Sequence, residues 1–329
     1  MGWFNSLKQL FSASSADSLA AHKTTEDEEA GLERAGLHWG QRAKEQVEQT
    51  RPSSWTECPI VITEYMNPLI SGQAEIGWLQ AVALDYFPDP VARALSLGCG
   101  GGGLERHGLQ LRIAEEFDAF DVSADAVALA ESLAVESGQS EQINYAVANL
   151  NKLEFGQDIY DAVFASQSVH HIQDLEHYMA QVHRTLRPGG LFIFNEYIGP
   201  NQFQWTEAQL FHARRLLGMI PESLRELIRE PGIKHTLERP TLEFMNNYDP
   251  TEAIRSADIL PAVEKHFTIV SRRDFGGTLL HLVLDNIAGN LSNSDEGLQL
   301  LRGFFAEEQR LIATGEIFSD FTLVVARKE

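Results

Sequence analysis

Short apolar runs alternate with amphipathic segments from about residue 93 onward, a pattern typical of β-strands separated by helices. The predicted strands cover residues 94–98, 117–122, 143–148, 160–166 and 191–197. The predicted helices cover residues 103–116, 124–137 and 174–187. Because strands and helices alternate singly, we expect an α/β fold whose doubly wound, mostly parallel sheet carries helices on both faces.

The segments outside this alternation are mainly helical or irregular. Before it we expect a polar helix at about 27–50, an irregular, proline-containing stretch at 51–72 and a helix at 73–87. After it, residues 201–262 predict several helices interrupted by prolines, and strand character resumes at 267–276 and 318–328. Residues 1–11 place apolar side chains on one face of a short helix, which we expect to dock on protein rather than on a membrane.

The expected domain organisation follows from these segments. It comprises a flexible N-terminal segment 1–30, an N-terminal helical region 31–92, a cofactor-binding core 93–200, a helical cap insertion 201–265, and a C-terminal strand pair with intervening helices 266–329. The oligomeric state is left open.

The composition is typical of a folded, cytoplasmic protein. Of the 329 residues 43% are hydrophobic, and the formal net charge is −21. Because nucleic acids repel such a surface and no basic cluster occurs, we expect no nucleic-acid partner. No apolar run reaches the roughly 18 residues of a membrane-spanning helix, and no secretory signal is recognisable. The two cysteines, Cys58 and Cys99, favour a reducing compartment.

The segment LSLGCGGGGLE at residues 95–105 is the most informative motif. An apolar strand runs into a bend with five glycines, and a predicted helix begins there. Glycine permits positive φ angles and close approach of a ligand to the backbone, and the first helical N–H groups lack partners. Gly98, Gly100 and Gly103 also fit the spacing of a dinucleotide-binding turn. The bend therefore predicts a nucleotide-like ligand.

Asp121 ends the next predicted strand, about 20 residues after the glycines, where a carboxylate can accept hydrogen bonds from both hydroxyls of a ribose. The alternative is that Asp121 caps the following helix. Ser123 competes for that capping position, so we favour the ribose interpretation.

Five motifs in this order resemble the core of class I S-adenosylmethionine-dependent methyltransferases. They are LSLGCGGGG, FDVSADAVALA, ANL at 148–150, YDAVFASQSVHHI at 160–172 and HRTLRPGGLFIFNEY at 183–197. The resemblance implies a Rossmann-like sheet of seven strands, in which the last two predicted strands form an antiparallel pair. It also implies S-adenosyl-L-methionine as the cofactor.

The resemblance assigns roles on the methionine and ribose side of the cofactor. Gly98, Cys99 and Gly100 would line the methionine moiety. Asp121 would hold the ribose, and Val122 beside it would belong to the same cofactor site.

On the adenine and sulfonium side the resemblance implies five further residues. Asn149 and Leu150 would flank the adenine, with the Asn149 amide near the adenine amino group. Ser166, Gln167 and Ser168 would approach the sulfonium. The family often has an acidic residue where Ser96 stands, and often an aspartate where Asn149 stands.

Methyl transfer requires an aligned acceptor, and an alcohol or amine acceptor must also lose a proton. His170, His171 and Glu196 are candidate catalytic residues because they follow the fourth and fifth strands, where ligands bind in such sheets. We expect no metal site, because adjacent histidines should point apart and no third ligand is evident.

The acceptor is expected to be a small molecule or a glycan, with oxygen favoured over nitrogen. Phe203 and Trp205 in the cap could line an apolar acceptor pocket, or they could form the internal core of the cap. Tyr65 or Trp39 from the N-terminal region could reach the cofactor.

Two other functions remain open. A nicotinamide-dependent oxidoreductase would use the same glycine bend and carboxylate, although the Pro-Gly-Gly motif at 188–190 argues against it. A methyltransferase-like domain that binds a cofactor or partner without catalysis has the same fold.

Overall fold

The computed structural model describes Gly36 and residues 51–329. The expectations for residues 1–30, for the helix at 27–50 and for Trp39 therefore lie outside the described residues. Those residues contain one sheet of seven strands: β1 (Val91–Leu97), β2 (Ala114–Asp121), β3 (Ile143–Val147), β4 (Tyr160–Ser166), β5 (Leu186–Tyr197), β6 (Thr268–Gly276) and β7 (Phe321–Arg327).

The strand order across the sheet is β3-β2-β1-β4-β5-β7-β6. Strands β1 to β5 pair in parallel, and β7 lies antiparallel between β5 and β6. The expected doubly wound, mostly parallel sheet with a terminal antiparallel pair is confirmed. The order reverses between β1 and β4, which is where ligands bind in such sheets.

The α-helices flank the sheet and build the segments before and after it. They are α1 (Pro59–Val61), α2 (Asn67–Ser71), α3 (Trp78–Tyr86), α4 (Gly103–Gln110), α5 (Ala124–Glu136), α6 (Leu175–Thr185), α7 (Glu207–Met219), α8 (Leu242–Tyr248), α9 (Ile259–Glu264), α10 (Leu280–Leu284), α11 (Ala288–Leu291) and α12 (Asp295–Ala313). Short 3-10 turns cover Trp55–Glu57, Val169–His171, Asn201–Phe203, Glu222–Leu224 and Ser256–Asp258, and a π-helical turn covers Ile62–Met66.

The central strands β4, β5 and β7 are buried on both faces, which explains why they are nearly continuous apolar runs. Successive side chains alternate between the faces, so Phe192 and Phe194 of β5 belong to one hydrophobic cluster and Ile193 to the other. Helices α6 and α9 cover the first face, and α4 and α5 cover the second. This double covering holds the carboxyl ends of β1, β2 and β4 at one edge.

Two predicted segments differ from the structure. The helix expected at 103–116 ends at Gln110, because Arg112 adopts a left-handed conformation (φ 57°) and β2 begins at Ala114. The stretch 51–72 is largely helical rather than irregular. Pro59 begins α1, where a missing N–H removes no helical hydrogen bond. Pro68 follows directly on the π-helical turn Ile62–Met66, within the same continuous helical run.

The expected cap, residues 201–265, contains α7, α8 and α9. Helix α9 packs against α6 in the same hydrophobic cluster as β5, so the end of this region belongs to the layer that covers the sheet. None of the helices within residues 51–329 is both long and apolar enough to cross a membrane.

Candidate active site

The glycine bend follows β1 and is held against the end of β2. The N–H groups of Gly98 and Cys99 both donate to the carbonyl of Phe120, at 2.8 and 3.1 Å. Gly98, Gly100 and Gly102 all have positive φ angles, of 80°, 51° and 72°. A side chain at these positions would strain the backbone, so the conformation itself requires glycine.

Space around the bend differs from one glycine to the next. A Cβ atom at Gly98 would lie 2.3 Å from the Cβ of Ser168, and one at Gly102 would lie 2.3 Å from the hydroxyl of Tyr145. A Cβ at Gly100 would meet no heavy atom within 4 Å. The backbone at Gly100 is therefore open to a ligand, whereas Gly98 and Gly102 pack against the protein.

Asp121 joins the glycine bend to the start of α5. Its carboxylate accepts hydrogen bonds from the N–H of Gly100 at 2.8 Å and from the N–H of Ser123 at 2.9 Å. Burial raises the pKa of Asp121, and the bonds from Ser123 and Gly100 oppose that shift. Ser123, not Asp121, caps α5 by accepting from Ala126. The two carboxylate oxygens together retain acceptor capacity for a ligand.

Val122, Asn149 and Leu150 lie beside Asp121 in the structure. The N–H of Ala148 donates to the carbonyl of Asp121 at 2.8 Å, which aligns the turn after β3 with the end of β2. The Oδ1 atom of Asn149 accepts from the N–H of Asn151 and keeps a second lone pair. Leu150 packs against the hydrophobic cluster below, and Val122 is half-buried.

Ser166 and Gln167 form the turn after β4, across from the glycine bend. Ser166 pairs with Asn195 of β5, and Gln167 has a left-handed backbone with φ 53°. The side-chain amide of Gln167 donates to the carbonyl of Asn195 at 3.1 Å. Ser168 then donates to the carbonyl of Leu97 at 2.7 Å and so fastens this turn to β1.

A carboxylate that sequence reasoning missed lies directly beneath the bend. Glu105, in the first turn of α4, is fully buried with Cys99 and Asp121 nearby. Burial raises the pKa of Glu105 to about 7, and the hydroxyl of Ser96 partly opposes the shift. Glu105 therefore places a carboxyl group beside Ser96, the position at which the methyltransferase family often has an acidic residue. The usable signal was an acidic residue two positions after the last glycine, at the start of the predicted helix.

Glu196 is fully buried at the end of β5, and both of its oxygens already accept hydrogen bonds. Oε2 accepts from the N–H groups of Ser168 and Val169 at 2.9 and 2.7 Å. Oε1 accepts from the N–H of Tyr197 and contacts Nδ1 of His170. The carboxylate therefore fixes the turn after β4 and orients His170.

His170 and His171 do not point apart as their adjacency suggested. Their ring centroids are 4.1 Å apart in the turn that follows β4. Glu252, in the loop after α8, reaches both: its Oε1 lies 3.5 Å from Nε2 of His170, and its Oε2 lies 3.9 Å from Nε2 of His171. We refer to His170, His171, Glu196, Asp249 and Glu252 as the histidine–carboxylate cluster.

The electrostatics of this cluster are dominated by its carboxylates. Burial would lower the pKa of His170, but the charges of Glu196, Glu252 and Asp249 raise it to about 9. His281, which packs edge-on against Tyr197, has a pKa lowered by burial to about 4. Glu252 was missed because it is distant in sequence and is surrounded by no recognisable motif.

The aromatic residues of the cap are packed against the sheet. Phe203 and Trp205 stack with ring centroids 5.4 Å apart, and both are buried. Phe203 also contacts Tyr197 at 5.1 Å. These side chains belong to a core shared by cap and sheet, and not to an internal core of the cap alone.

Tyr65 does not lie at the glycine bend. Its hydroxyl donates to Glu308 of α12 at 2.5 Å, and its ring stacks on Phe305 of the same helix. A Cβ at Gly276, the last residue of β6, would meet the Tyr65 hydroxyl at 2.2 Å. Three strands separate β6 from β1, so the expectation that Tyr65 reaches the cofactor does not hold.

Part of the core of this chain matches a described protein family. Residues 95–194 match a family model described as a methyltransferase domain. Methyltransferase phqN of Penicillium fellutanum is 31% identical over 100 residues, which are 30% of this chain and 30% of that protein. Sterol 24-C-methyltransferase erg6 of Aspergillus fumigatus is 22% identical over 255 residues, which are 69% of this chain and 66% of that protein.

An enzyme named for oxygen methylation also matches. Ubiquinone biosynthesis O-methyltransferase of Rhizobium leguminosarum is 27% identical over 155 residues, or 46% of this chain and 59% of the relative. The matches thus span between 30% and 66% of the length of these relatives.

A solved structure has a similar fold. Geranyl diphosphate C-methyltransferase from Streptomyces coelicolor A3(2), with Mg²⁺, geranyl-S-thiolodiphosphate and S-adenosyl-L-homocysteine, has a TM-score of 0.52 and 12% identity. The match covers 94% of this chain and 100% of the other. At this identity the likeness concerns the fold alone.

Proposed function

We propose that this chain, which carries a class I S-adenosylmethionine-dependent methyltransferase domain, transfers a methyl group from S-adenosyl-L-methionine to a small molecule or glycan. The observation that carries the proposal is the open backbone at Gly100, hydrogen-bonded to the buried carboxylate of Asp121. The family match over residues 95–194 includes both residues and supports the same cofactor.

The residues at the carboxyl ends of β1 and β2 fit two polar parts of the cofactor, the methionine moiety and the ribose. Gly98, Cys99 and Gly100 would hold the methionine moiety along the bend. The remaining acceptor positions of Asp121 would take the ribose hydroxyls, since two are already used by backbone N–H groups. When bound, the cofactor supplies an activated methyl group on its sulfonium.

The neighbouring turns would complete the cofactor site. The free lone pair of Asn149 Oδ1 would accept from the adenine amino group, and Val122 and Leu150 would contact the apolar faces of the adenosine. Ser166 and Gln167 would form the wall near the sulfonium, because Ser168 fastens their turn to β1.

We favour an oxygen acceptor bound at the histidine–carboxylate cluster. A hydroxyl must lose its proton to become a strong nucleophile, and a polar cluster at this edge can promote that loss. The side chain of His171 is 17% exposed and that of His170 is 7% exposed, so His171 is the better placed to contact an acceptor. Glu196 would act as a positioning residue, because its oxygens already accept several hydrogen bonds.

Carbon methylation is a second candidate. It is supported by the sterol C-methyltransferase match, which covers 69% of this chain. The nicotinamide alternative has less support, because NAD-binding domains of this class typically follow the parallel order 3-2-1-4-5-6, whereas here an antiparallel β7 lies between β5 and β6.

Calorimetric titration tests the cofactor. We expect S-adenosyl-L-methionine to bind the unmodified chain, and Asp121→Ala to weaken binding by about 1–3 kcal/mol through loss of a hydrogen-bonded charge. Asp125→Ala, at an exposed carboxylate in the first turn of α5, serves as the matched control. Equal binding by Asp121→Ala would remove it from the ribose role, and binding of NADH alone would favour an oxidoreductase.

Transfer itself is tested with cofactor that carries a deuterated methyl group. Separate incubations with phenols and saccharides, with phosphoethanolamine and with sterols distinguish oxygen, nitrogen and carbon acceptors by mass spectrometry. A labelled hydroxyl product supports the proposal. Tight cofactor binding with no labelled product from any class would favour a binding domain without catalysis.

A further inference from the structure

Three ligand atoms of His170, His171 and Glu252 converge at the junction of core and cap. One atom from each side chain lies within 4.8 Å of the others. The separations from Glu252 oxygens to the two Nε2 atoms are 3.5 and 3.9 Å. A tetrahedral zinc ion with bonds of about 2.0–2.1 Å holds its ligand atoms roughly 3.3 Å apart. Small side-chain rotations would therefore bring all three atoms to ligating distance.

The hydrogen bonds of Glu196 assign the tautomer of His170. Because the Glu196 carboxylate only accepts, the Nδ1 atom of His170 that contacts it carries the proton. The Nε2 atom, which faces Glu252, is then the ring atom that can ligate once an incoming cation displaces its proton. A histidine whose second nitrogen donates to a carboxylate is the usual arrangement around a metal ion.

An independent network gives His171 the same orientation. The hydroxyl of Thr251 donates its proton to Oδ1 of Asp249 at 2.6 Å. The Thr251 oxygen must therefore accept from Nδ1 of His171, at 3.1 Å. Nε2 of His171 is left to face Glu252. Two separate networks thus direct the ligating nitrogens of both histidines toward one carboxylate.

The loop that carries Glu252 is fixed to the core beside the histidines. The N–H of Ile254 donates to the carbonyl of His170 at 3.1 Å, and the carbonyl of Ala253 accepts from Gln202 at 2.6 Å. Ala253 and Gln202 both adopt left-handed backbone conformations, with φ of 51° and 47°. Such conformations persist only where the surroundings enforce them, so the carboxylate is held in place before any ligand arrives.

We infer that His170, His171 and Glu252 bind one divalent transition-metal ion. Two imidazoles and one carboxylate suit zinc, iron or cobalt better than magnesium or calcium, which prefer oxygen ligands. The remaining coordination positions would be open to water or to an acceptor oxygen. The inference rests on the proposed function, because a bound metal ion is how the cluster would activate an acceptor. Metal binding itself is measured without cofactor or acceptor.

Metal titration of the untagged, chelator-treated full chain tests the site. We expect one equivalent of Co²⁺ to bind per chain, seen in its visible absorption, and Zn²⁺ to displace it. Glu252→Gln should weaken Co²⁺ binding at least about 10-fold, because a charged ligand is lost. Thr251→Val should weaken it by roughly 10- to 100-fold, because the support of His171 is lost.

His177→Gln is the matched control, since His177 lies on α6 and bonds to the carbonyl of Leu153. This variant should bind Co²⁺ as the unmodified chain does. Binding without saturation at one equivalent would overturn the inference, as would equal affinity in Glu252→Gln or Thr251→Val. Circular dichroism verifies the fold of each variant. If the chain transfers a methyl group but does not bind Co²⁺ at one equivalent, the inference fails while the proposed function stands.

Discussion

At the scale of single residues, the bend after β1 depends on the absence of a side chain at Gly98. Gly98→Ala would place a Cβ 2.3 Å from the Cβ of Ser168 and force alanine into a φ of 80°. We expect a loss of roughly 2–4 kcal/mol in unfolding free energy, from the left-handed conformation and the overlap together. Urea unfolding followed by circular dichroism measures it.

Gly103→Ala provides the comparison within the same bend. Gly103 begins α4, its φ is not positive, and a Cβ there meets nothing within 4 Å. Its unfolding free energy should stay the same or rise slightly, because alanine favours helix. A Gly98→Ala variant as stable as Gly103→Ala would show that the bend tolerates a side chain at Gly98.

Glu105 makes the stability of the fold depend on pH. Burial raises its pKa in the folded protein to about 7 from a usual 4.5. The protonated form is therefore favoured by folding, and this stabilisation is full below pH 4.5 and is lost as the pH rises to 7. Glu105→Gln cannot ionise and so should not lose this stabilisation. We expect its unfolding free energy, measured relative to that of the unmodified chain, to rise by about 2 kcal/mol from pH 5 to pH 8.

Chemical unfolding of both proteins at several pH values gives this difference directly. Glu131→Gln, at an exposed carboxylate on α5, should show no such trend. A constant difference between Glu105→Gln and the unmodified chain across the range would mean that Glu105 titrates normally in the folded protein.

At the scale of elements, Glu308 of α12 stabilises the start of α10. Its Oε2 accepts from the N–H groups of Leu279 and Leu280, and its Oε1 accepts from Gly277 and from the hydroxyl of Tyr65. One buried carboxylate thus joins the N-terminal helical segment, α10 and α12. The polar N–H groups at the start of α10 have this partner instead of a local cap.

Glu308→Ala should lower the unfolding free energy by about 3 kcal/mol or more, because several buried donors lose their acceptor at once. Tyr65→Phe removes a single hydrogen bond and should cost about 1 kcal/mol. Urea unfolding at pH 7 compares the two. A Tyr65→Phe variant as unstable as Glu308→Ala would show that the tyrosine, not the helix start, is the main partner.

The strands could be predicted from sequence because burial on both faces leaves nearly uninterrupted apolar runs, as in β4 and β5. The helical stretch at 51–72 could not, since proline is a helix breaker in general and a helix starter at particular positions. Asp121 could be placed from its distance to the glycines. Glu252 could not, because only the folding of the cap brings it to His170.

At the scale of the whole molecule, the proposed core and cap share one hydrophobic interior. Trp55 contacts Phe321 of β7 at 4.9 Å, and Phe203 of the cap contacts Tyr197 of β5 at 5.1 Å. Trp205 belongs to the same cluster as these residues. A region that shares its core with the sheet gains little by folding alone, so we expect the described part of the chain to unfold as one unit.

Thermal unfolding should therefore give one transition that coincides in far-ultraviolet circular dichroism, tryptophan fluorescence and calorimetry. Trp205→Ala should remove about 3–5 kcal/mol and shift that single transition downward, because the cavity weakens an interior common to cap and sheet. If the cap instead folded independently, Trp205→Ala would split the curve, with an early fluorescence change and an unshifted main transition. In the histidine–carboxylate cluster, His170 comes from the core and Glu252 from the cap. A single shifted transition means that these two residues keep their spacing until the whole fold is lost, whereas a split transition means that they separate earlier.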